Sequence, residues 1–157
     1  MSARWVVGWI VVVLVVVGGA VWIVRPSTLP YGAAHVDGPL LVSAKPGMSR
    51  GGMDAIVTGE VTYDDGCLRL DSHPVVWPHG TSWDGESSEV VLPNGERAGV
   101  GAQVTGGGGH VDAQTFTEGE RPYGDYGDEG ERILADCADP SGQVAFFNEG
   151  SEVSLVE

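Results

Sequence analysis

Ile56-Val57-Thr58-Gly59-Glu60-Val61-Thr62-Tyr63, then Asp64-Asp65-Gly66, then Cys67-Leu68-Arg69-Leu70-Asp71 is the stretch that decides the fold. Its first eight residues are rich in β-branched and aromatic side chains, which suit a pleated surface and are stiff at χ1. Asp64-Asp65-Gly66 supplies the positive-φ position that a short hairpin loop needs. The run that follows alternates, which puts Leu68 and Leu70 on a buried face and Cys67 on the other. Strand, turn and strand are therefore expected here, and the same texture continues downstream. Val75-Val76-Trp77 stops at Pro78 and Glu89-Val90-Val91-Leu92 stops at Pro93. Asn94-Gly95 predicts a type I′ turn that returns the chain through Arg97 to Thr105.

Between Cys67 and Gly109 lies most of the aromatic and turn-forming punctuation outside the N-terminus, ending in four consecutive glycines, Gly106 to Gly109. Glycine in a strand interior is costly, so this run marks a loop, a bulge or a close approach of backbone to something else. Gln143-Val144-Ala145-Phe146-Phe147 predicts a strand and Val153 to Val156 a last one. No stretch after Arg25 keeps a helical apolar period over eleven residues or more, and the polar, glycine-rich segment from Gly119 to Glu131 predicts a long mobile loop. Many short strands with Gly and Pro punctuation predict an all-β domain, a small antiparallel barrel or sandwich, with an OB-like barrel among the alternatives.

Upstream the character changes. The twenty residues from Trp5 to Val24 carry no charge and are dominated by valine. As a helix rising about 1.5 Å per residue they match the roughly 30 Å hydrocarbon core of a bilayer. Trp5 and Trp9 stand toward one end and Trp22 at the other, where indole rings favour the membrane interfaces. The alternative is a cleaved signal peptide, but its apolar region is usually shorter and here apolar residues continue past Gly18 and Ala20. The expected organisation is an N-terminal transmembrane anchor over 1–25, a Pro/Gly-rich stalk over 26–52 with one short edge strand at 39–43, and a β domain over 53–157. Arg4 and the free amine lean the orientation toward a cytoplasmic N-terminus and a domain outside the cell membrane. Cys67 and Cys137, the only two cysteines, fit neither a Cys-x-x-Cys nor a zinc-ribbon spacing. In an exported domain such a pair is most simply one disulfide, and in a cytoplasmic one two buried thiols.

Charge narrows the partners. Residues 25–157 hold seven of the eight Lys and Arg and all 22 Asp and Glu, a balance of 7 − 22 = −15. So acidic a surface repels phosphate backbones, which excludes nucleic acid as a partner. Gly47-Met48-Ser49-Arg50-Gly51 matches the Gly-x-Ser-x-Gly pattern, but it follows Lys45-Pro46 and the chain is too short for the large parallel sheet a nucleophile elbow requires. His35, His73, His79 and His110 show no paired metal-ligand spacing, so no metal site, cofactor or catalytic residue is assigned. Asp125, Asp128, Glu129 and Glu131 are oxygen ligands of the type calcium takes, without the spacing of a calcium loop, and otherwise read as a solvated segment. Trp77 and Trp83 are expected to close one end of the barrel core, and if the region binds anything, Trp77, His79 and Trp83 form the candidate surface, for an envelope protein or glycan.

The order Gly66-Cys67-Leu68, Val75-Val76-Trp77-Pro78 with Gly80-Thr81, Leu92-Pro93-Asn94-Gly95, Val100-Gly101, Gly106 to Gly109, Cys137 and Val144-Ala145-Phe146 resembles small exported or membrane-anchored β-domain proteins of high-GC actinobacteria, over residues 53–150. The resemblance implies a compact β domain outside the membrane and carries no catalytic residue, because that family has no assigned activity. Ala102 stands where an aspartate often follows in OB-like barrels. The function expected is a structural or interaction module of the cell envelope. A hydrolase whose acids converge only in three dimensions and a weak calcium-binding structural domain are the alternatives.

Overall fold

A computed structural model describes residues 34–43, 53–114 and 126–157. In chain order its strands are β1 (His35–Asp37), β2 (Leu40–Val42), β3 (Ala55–Asp64), β4 (Cys67–Leu70), β5 (His73–Trp77), β6 (Ser82–Asp84), β7 (Glu89–Val91), β8 (Arg97–Gly99) and β9 (Gln103–Asp112). Helix α1 (Gly127–Cys137) and strands β10 (Gln143–Phe147) and β11 (Ser154–Leu155) complete it. The residues read as a membrane anchor, Trp5 to Val24, the Gly47-to-Gly51 motif and Asp125 lie outside the described residues. Among the described residues no helix is long and apolar enough to cross a membrane.

The opening stretch folds as read. β3 and β4 pair antiparallel with Tyr63 opposite Leu68 and Asp64 opposite Cys67, and the turn between them has φ of 50° at Asp65 and 79° at Gly66. The ladder then closes on itself. β4 pairs antiparallel with β5, β5 parallel with β10, β10 antiparallel with β9, and β9 antiparallel with β3. Five strands thus form a closed barrel, which removes the open edges a single sheet would leave. β2 joins β5 in parallel beyond the point where β4 leaves it, Leu41 facing Val76, and β1 pairs back on β2. β11 pairs with the first part of β9, and β6, β7 and β8 form a separate three-stranded sheet.

The hairpin of β1 and β2 falls inside the stretch expected to be a stalk. Leu40, Leu41 and Val42 are each at most 1% exposed, so the sheet begins some twenty residues before the expected boundary at 53, and the edge strand anticipated at 39–43 is one arm of a hairpin. Three buried apolar residues in a row need both faces covered, and this supplies both. One face joins the barrel interior with Val57, Leu68, Leu70, Trp77 and Phe147. The other joins a second apolar layer, in which Leu41, Cys67, Val76, Val144 and Phe146 meet Ile133, Leu134 and Cys137 of α1.

Helix α1 corrects the expectation of a mobile loop through Glu131 and of no helix after Arg25. Its buried residues are Gly130, Ile133, Leu134 and Cys137, a helical stripe of only three apolar side chains, too short to show in a sequence window. Asp128 and Glu129 sit in its first turn, where the helix dipole favours negative charge. Gly130 is required by packing, since a Cβ there would fall 2.2 Å from Tyr126 Cβ.

Two further corrections follow from backbone detail. Gly95 N–H donates to the Leu92 carbonyl and only Gly95 has positive φ, so the turn is Leu92-Pro93-Asn94-Gly95 with a left-handed glycine at its end, not a type I′ turn at Asn94-Gly95. Pro93 fixes φ near −65° at the first central position, which moves Asn94 to the second. The expected strand from Arg97 to Thr105 breaks at Gly101, whose φ is +89°, into β8 and β9. The four glycines lie within β9, paired to β3 on one edge and β10 on the other. Of the readings offered for them, close backbone approach is the one realised: a Cβ on Gly108 would lie 2.0 Å from the Phe146 carbonyl oxygen, and one on Gly106 2.8 Å from Val153 Cγ2.

Candidate functional site

The three residues read as a binding surface do not stay together. Trp77 is fully buried, its ring 5.5 Å from that of Phe147, and its Nε1–H meets no acceptor among the described residues. It is a core residue. The period-2 geometry of β5 explains this, since Val75 and Trp77 share the face turned to the barrel interior. His79 is exposed in the turn after β5, which Thr81 fastens by donating its hydroxyl to the Pro78 carbonyl at 2.8 Å. Trp83 is half-buried on β6 and does line a cleft.

That cleft, about 390 Å³, is bounded by the turn between β1 and β2, the turn between β3 and β4, Trp83 and one side of α1. Trp83 is held from several directions. Its backbone N–H donates to Asp37 Oδ2 at 3.0 Å, and its ring packs on Gly38, where a Cβ would come within 2.9 Å of Trp83 Cδ1. The ring of Tyr63 stands 5.1 Å away, tilted by 50°, within the range of favourable aromatic pairs. Opposite this wall are Arg132, Ile133 and Asp136 on α1, with Arg132 Nη1 3.5 Å from Asp136 Oδ2 across one helical turn. Asp65 and Gly66 contribute the hairpin tip.

The disulfide between Cys67 and Cys137, which the sequence reading proposed, is present with the Cα atoms 5.4 Å apart, and both cysteines border the cleft. It ties the start of β4 to the last residue of α1. Arg69 Nε donates to the Cys137 carbonyl at 3.1 Å, satisfying one of the unpaired carbonyls at the helix end and placing a cation at the negative pole of the dipole. Two bonds of different kinds thereby fix α1 as a wall. The described lining residues include two aromatic rings, the carboxylates of Asp65 and Asp136 and the Arg132 guanidinium, groups that bind by stacking, ion pairing and hydrogen bonding.

Tyr63, Asp65, Arg132 and Asp136 were not singled out as site residues in the sequence. A signal for the last two existed. Once Cys137 is placed on a helix and joined to Cys67, the residues one, four and five positions before it follow onto the same side, next to the Asp65-Gly66 turn.

Two other polar groupings stand apart. His73 Nδ1 lies 3.1 Å from Asp139 Oδ2, and the rings of His73 and His110 meet edge to face at 5.0 Å. Burial first, then the neighbouring His73, pushes the His110 imidazole below its ordinary value. The Ser141 hydroxyl first, with His73 also contributing, lowers Asp139. On the three-stranded sheet Arg97 donates to Asp84, to Glu89 at 2.6 Å and to Ser87 at 3.0 Å, and the guanidinium holds Asp84 at about 2 and depresses Glu89. Among the described residues no group of three His, Cys, Asp or Glu side chains is placed to hold a metal ion. Asp128, Glu129 and Glu131 are spread around α1, where successive residues point about 100° apart.

No family model, no curated protein and no solved structure matches this chain.

Proposed function

We propose that this protein is a single-pass, membrane-anchored recognition module of the cell envelope, whose barrel stands outside the membrane and docks a partner in the cleft between Trp83 and α1. The observation that carries the reading is the cleft itself: an aromatic pair facing a helix wall that a disulfide and a cap hydrogen bond hold in place. A rigid aromatic surface with few adjustable groups is what recognition sites use. The disulfide supports an oxidising location, and the uncharged run from Trp5 to Val24 supports the anchor, with the N-terminus in the cytoplasm. The resemblance to exported actinobacterial β-domain proteins agrees with that placement.

The barrel is read as OB-like. Taken in chain order, its five strands pair first with second, second with third, third in parallel with fifth, fifth with fourth and fourth with first. OB barrels bind ligands at the loop between their first two strands and the loop between their last two. Here those loops supply Asp65 and Gly66 on one side and α1 on the other, which is where the cleft lies. Nucleic acid is disfavoured as ligand by the −15 balance of residues 25–157.

The test is capture of partners from detergent-solubilised membranes by the full chain, compared with Tyr63→Ala and Asp136→Ala, both on the surface, and with Ile56→Ala as a control on a different exposed face. The expected result is loss of the same captured partner with the first two changes and retention with the third. A captured set that no cleft substitution alters, in proteins of unchanged melting temperature, would reject the reading.

A further inference from the structure

We infer that the cleft is built for a guanidinium group, the arginine side chain of a basic segment on a partner polypeptide. This rests on the cleft being the docking site and adds the chemistry of the occupant. Tyr63 and Trp83 give π-faces whose quadrupole attracts a cation, and a guanidinium also stacks flat on such a ring. Asp65 and Asp136 give carboxylates on the two sides of the cleft, the acceptors that the edge of a guanidinium takes in charge-assisted bonds. Asp65 makes no ion pair among the described residues, whereas Asp136 has Arg132 at 3.5 Å in an exposed i,i+4 pair, the kind an incoming cation displaces at small cost.

Charge on the larger scale points the same way. Seven cations stand against 22 acids over residues 25–157, so the field around the domain draws basic partners toward it and repels acidic ones. The arginines among the described residues are already engaged within the fold: Arg69 on Cys137, Arg97 on Asp84 and Glu89, and Arg132 on Asp136. A lysine ammonium satisfies the charge but not the planar stack, which is why arginine is the occupant assigned.

The experiment uses the full chain in detergent micelles, labelled with 15N at tryptophan and titrated with L-argininamide, L-citrullinamide and maltotriose. The Trp83 indole signal is assigned from Trp83→Phe. Argininamide at millimolar concentration is expected to shift that signal in a saturable way. Citrullinamide, which swaps the guanidinium for a neutral urea and keeps only the backbone amine, is expected to bind at least tenfold more weakly, as is maltotriose. Asp65→Asn and Asp136→Asn, both surface changes that leave the melting temperature in place, are each expected to weaken argininamide severalfold, and added salt to weaken it further.

Equal binding of citrullinamide and argininamide would overturn the guanidinium. Binding of maltotriose with no response to argininamide would replace it with a glycan and leave the cleft as the docking site. Binding of argininamide only after Arg50→Gln or Arg121→Gln would mean that the chain fills its own cleft, and would overturn the partner. A Trp83 signal that no probe moves, while partner capture still depends on Tyr63, would reject the arginine and keep the module. Silence in both assays would reject both.

Discussion

Gly108 and Gly107 are neighbours in β9 with opposite demands. A methyl group on Gly108 would overlap the Phe146 carbonyl oxygen at 2.0 Å, whereas on Gly107 the nearest heavy atoms are 3.6 Å away. Gly108→Ala is therefore expected to cost about 3 kcal/mol or more, since backbone rather than a side chain must yield. Gly107→Ala is expected to be neutral or stabilising by up to about 1 kcal/mol, because the chain loses less backbone entropy on folding. Urea denaturation of the two variants checks this, and equal midpoints would contradict it. The histidine pair gives a second residue-scale expectation. His110 faces His73, with Asp71 and Asp139 the acids near them, and its folded value lies below the ordinary 6.5. Its contribution is thus fully present above about pH 6.5 and is lost as pH falls from there toward the folded value. The melting temperature of the wild type should decline over that interval more steeply than that of His110→Gln, and parallel curves would contradict the assignment.

At the scale of elements, α1 is the part least able to stand alone. Its apolar stripe is Ile133, Leu134 and Cys137, and an isolated helix of eleven residues is marginal in water. The disulfide closes a loop of seventy residues, which in the chain-entropy model stabilises by about 4 kcal/mol. A Cys67→Ser, Cys137→Ser double variant should lose a stability of that order in urea, and should lose protection of the α1 amides in hydrogen exchange before those of β3 and β9. The arginine network on β6, β7 and β8 behaves differently. The carboxylate of Asp84 is depressed from 3.8 to about 2 by Arg97, so its contribution is present above about pH 4 and disappears as pH falls through 2. Arg97→Gln should lower the melting temperature at pH 7 and lower it much less at pH 2.

What could be read from sequence divides along the same line. The β3–β4 hairpin was legible because alternation and the Asp65-Gly66 turn are local signals, and Cys67 with Cys137 because only one pairing exists. The β1–β2 hairpin was hidden by Pro39 and Gly38, which read as stalk, since its partner β5 is more than thirty residues away. The aromatic half of the cleft was half legible. Trp83 was named, but Trp77 was separated from it by a fact of register that depends on which face of β5 meets the barrel interior. Arg132 and Asp136 could not be placed while the helix that carries them, Gly127–Cys137, went unread, its first residues taken as the end of a loop and Ile133 to Cys137 as the start of the closing section.

At the scale of the whole molecule, the proposed membrane anchor is the part to test first. The run from Trp5 to Val24 predicts that the full chain stays with the membrane pellet after alkaline carbonate washing, and release into the supernatant would contradict the anchor. The barrel and its disulfide predict that both cysteines resist thiol labelling in intact cells without reductant. The recognition claim is reached most directly by placing a photo-crosslinking p-benzoylphenylalanine at position 63 in the full chain, with the same residue at position 56 for comparison. Both positions are exposed, Tyr63 at 39% and Ile56 at 78%, but only the first belongs to the cleft. The expected result is a discrete crosslinked partner from position 63 that position 56 does not capture and that Asp136→Ala diminishes. The same adducts from both positions, or none from position 63 while position 56 yields one, would contradict it.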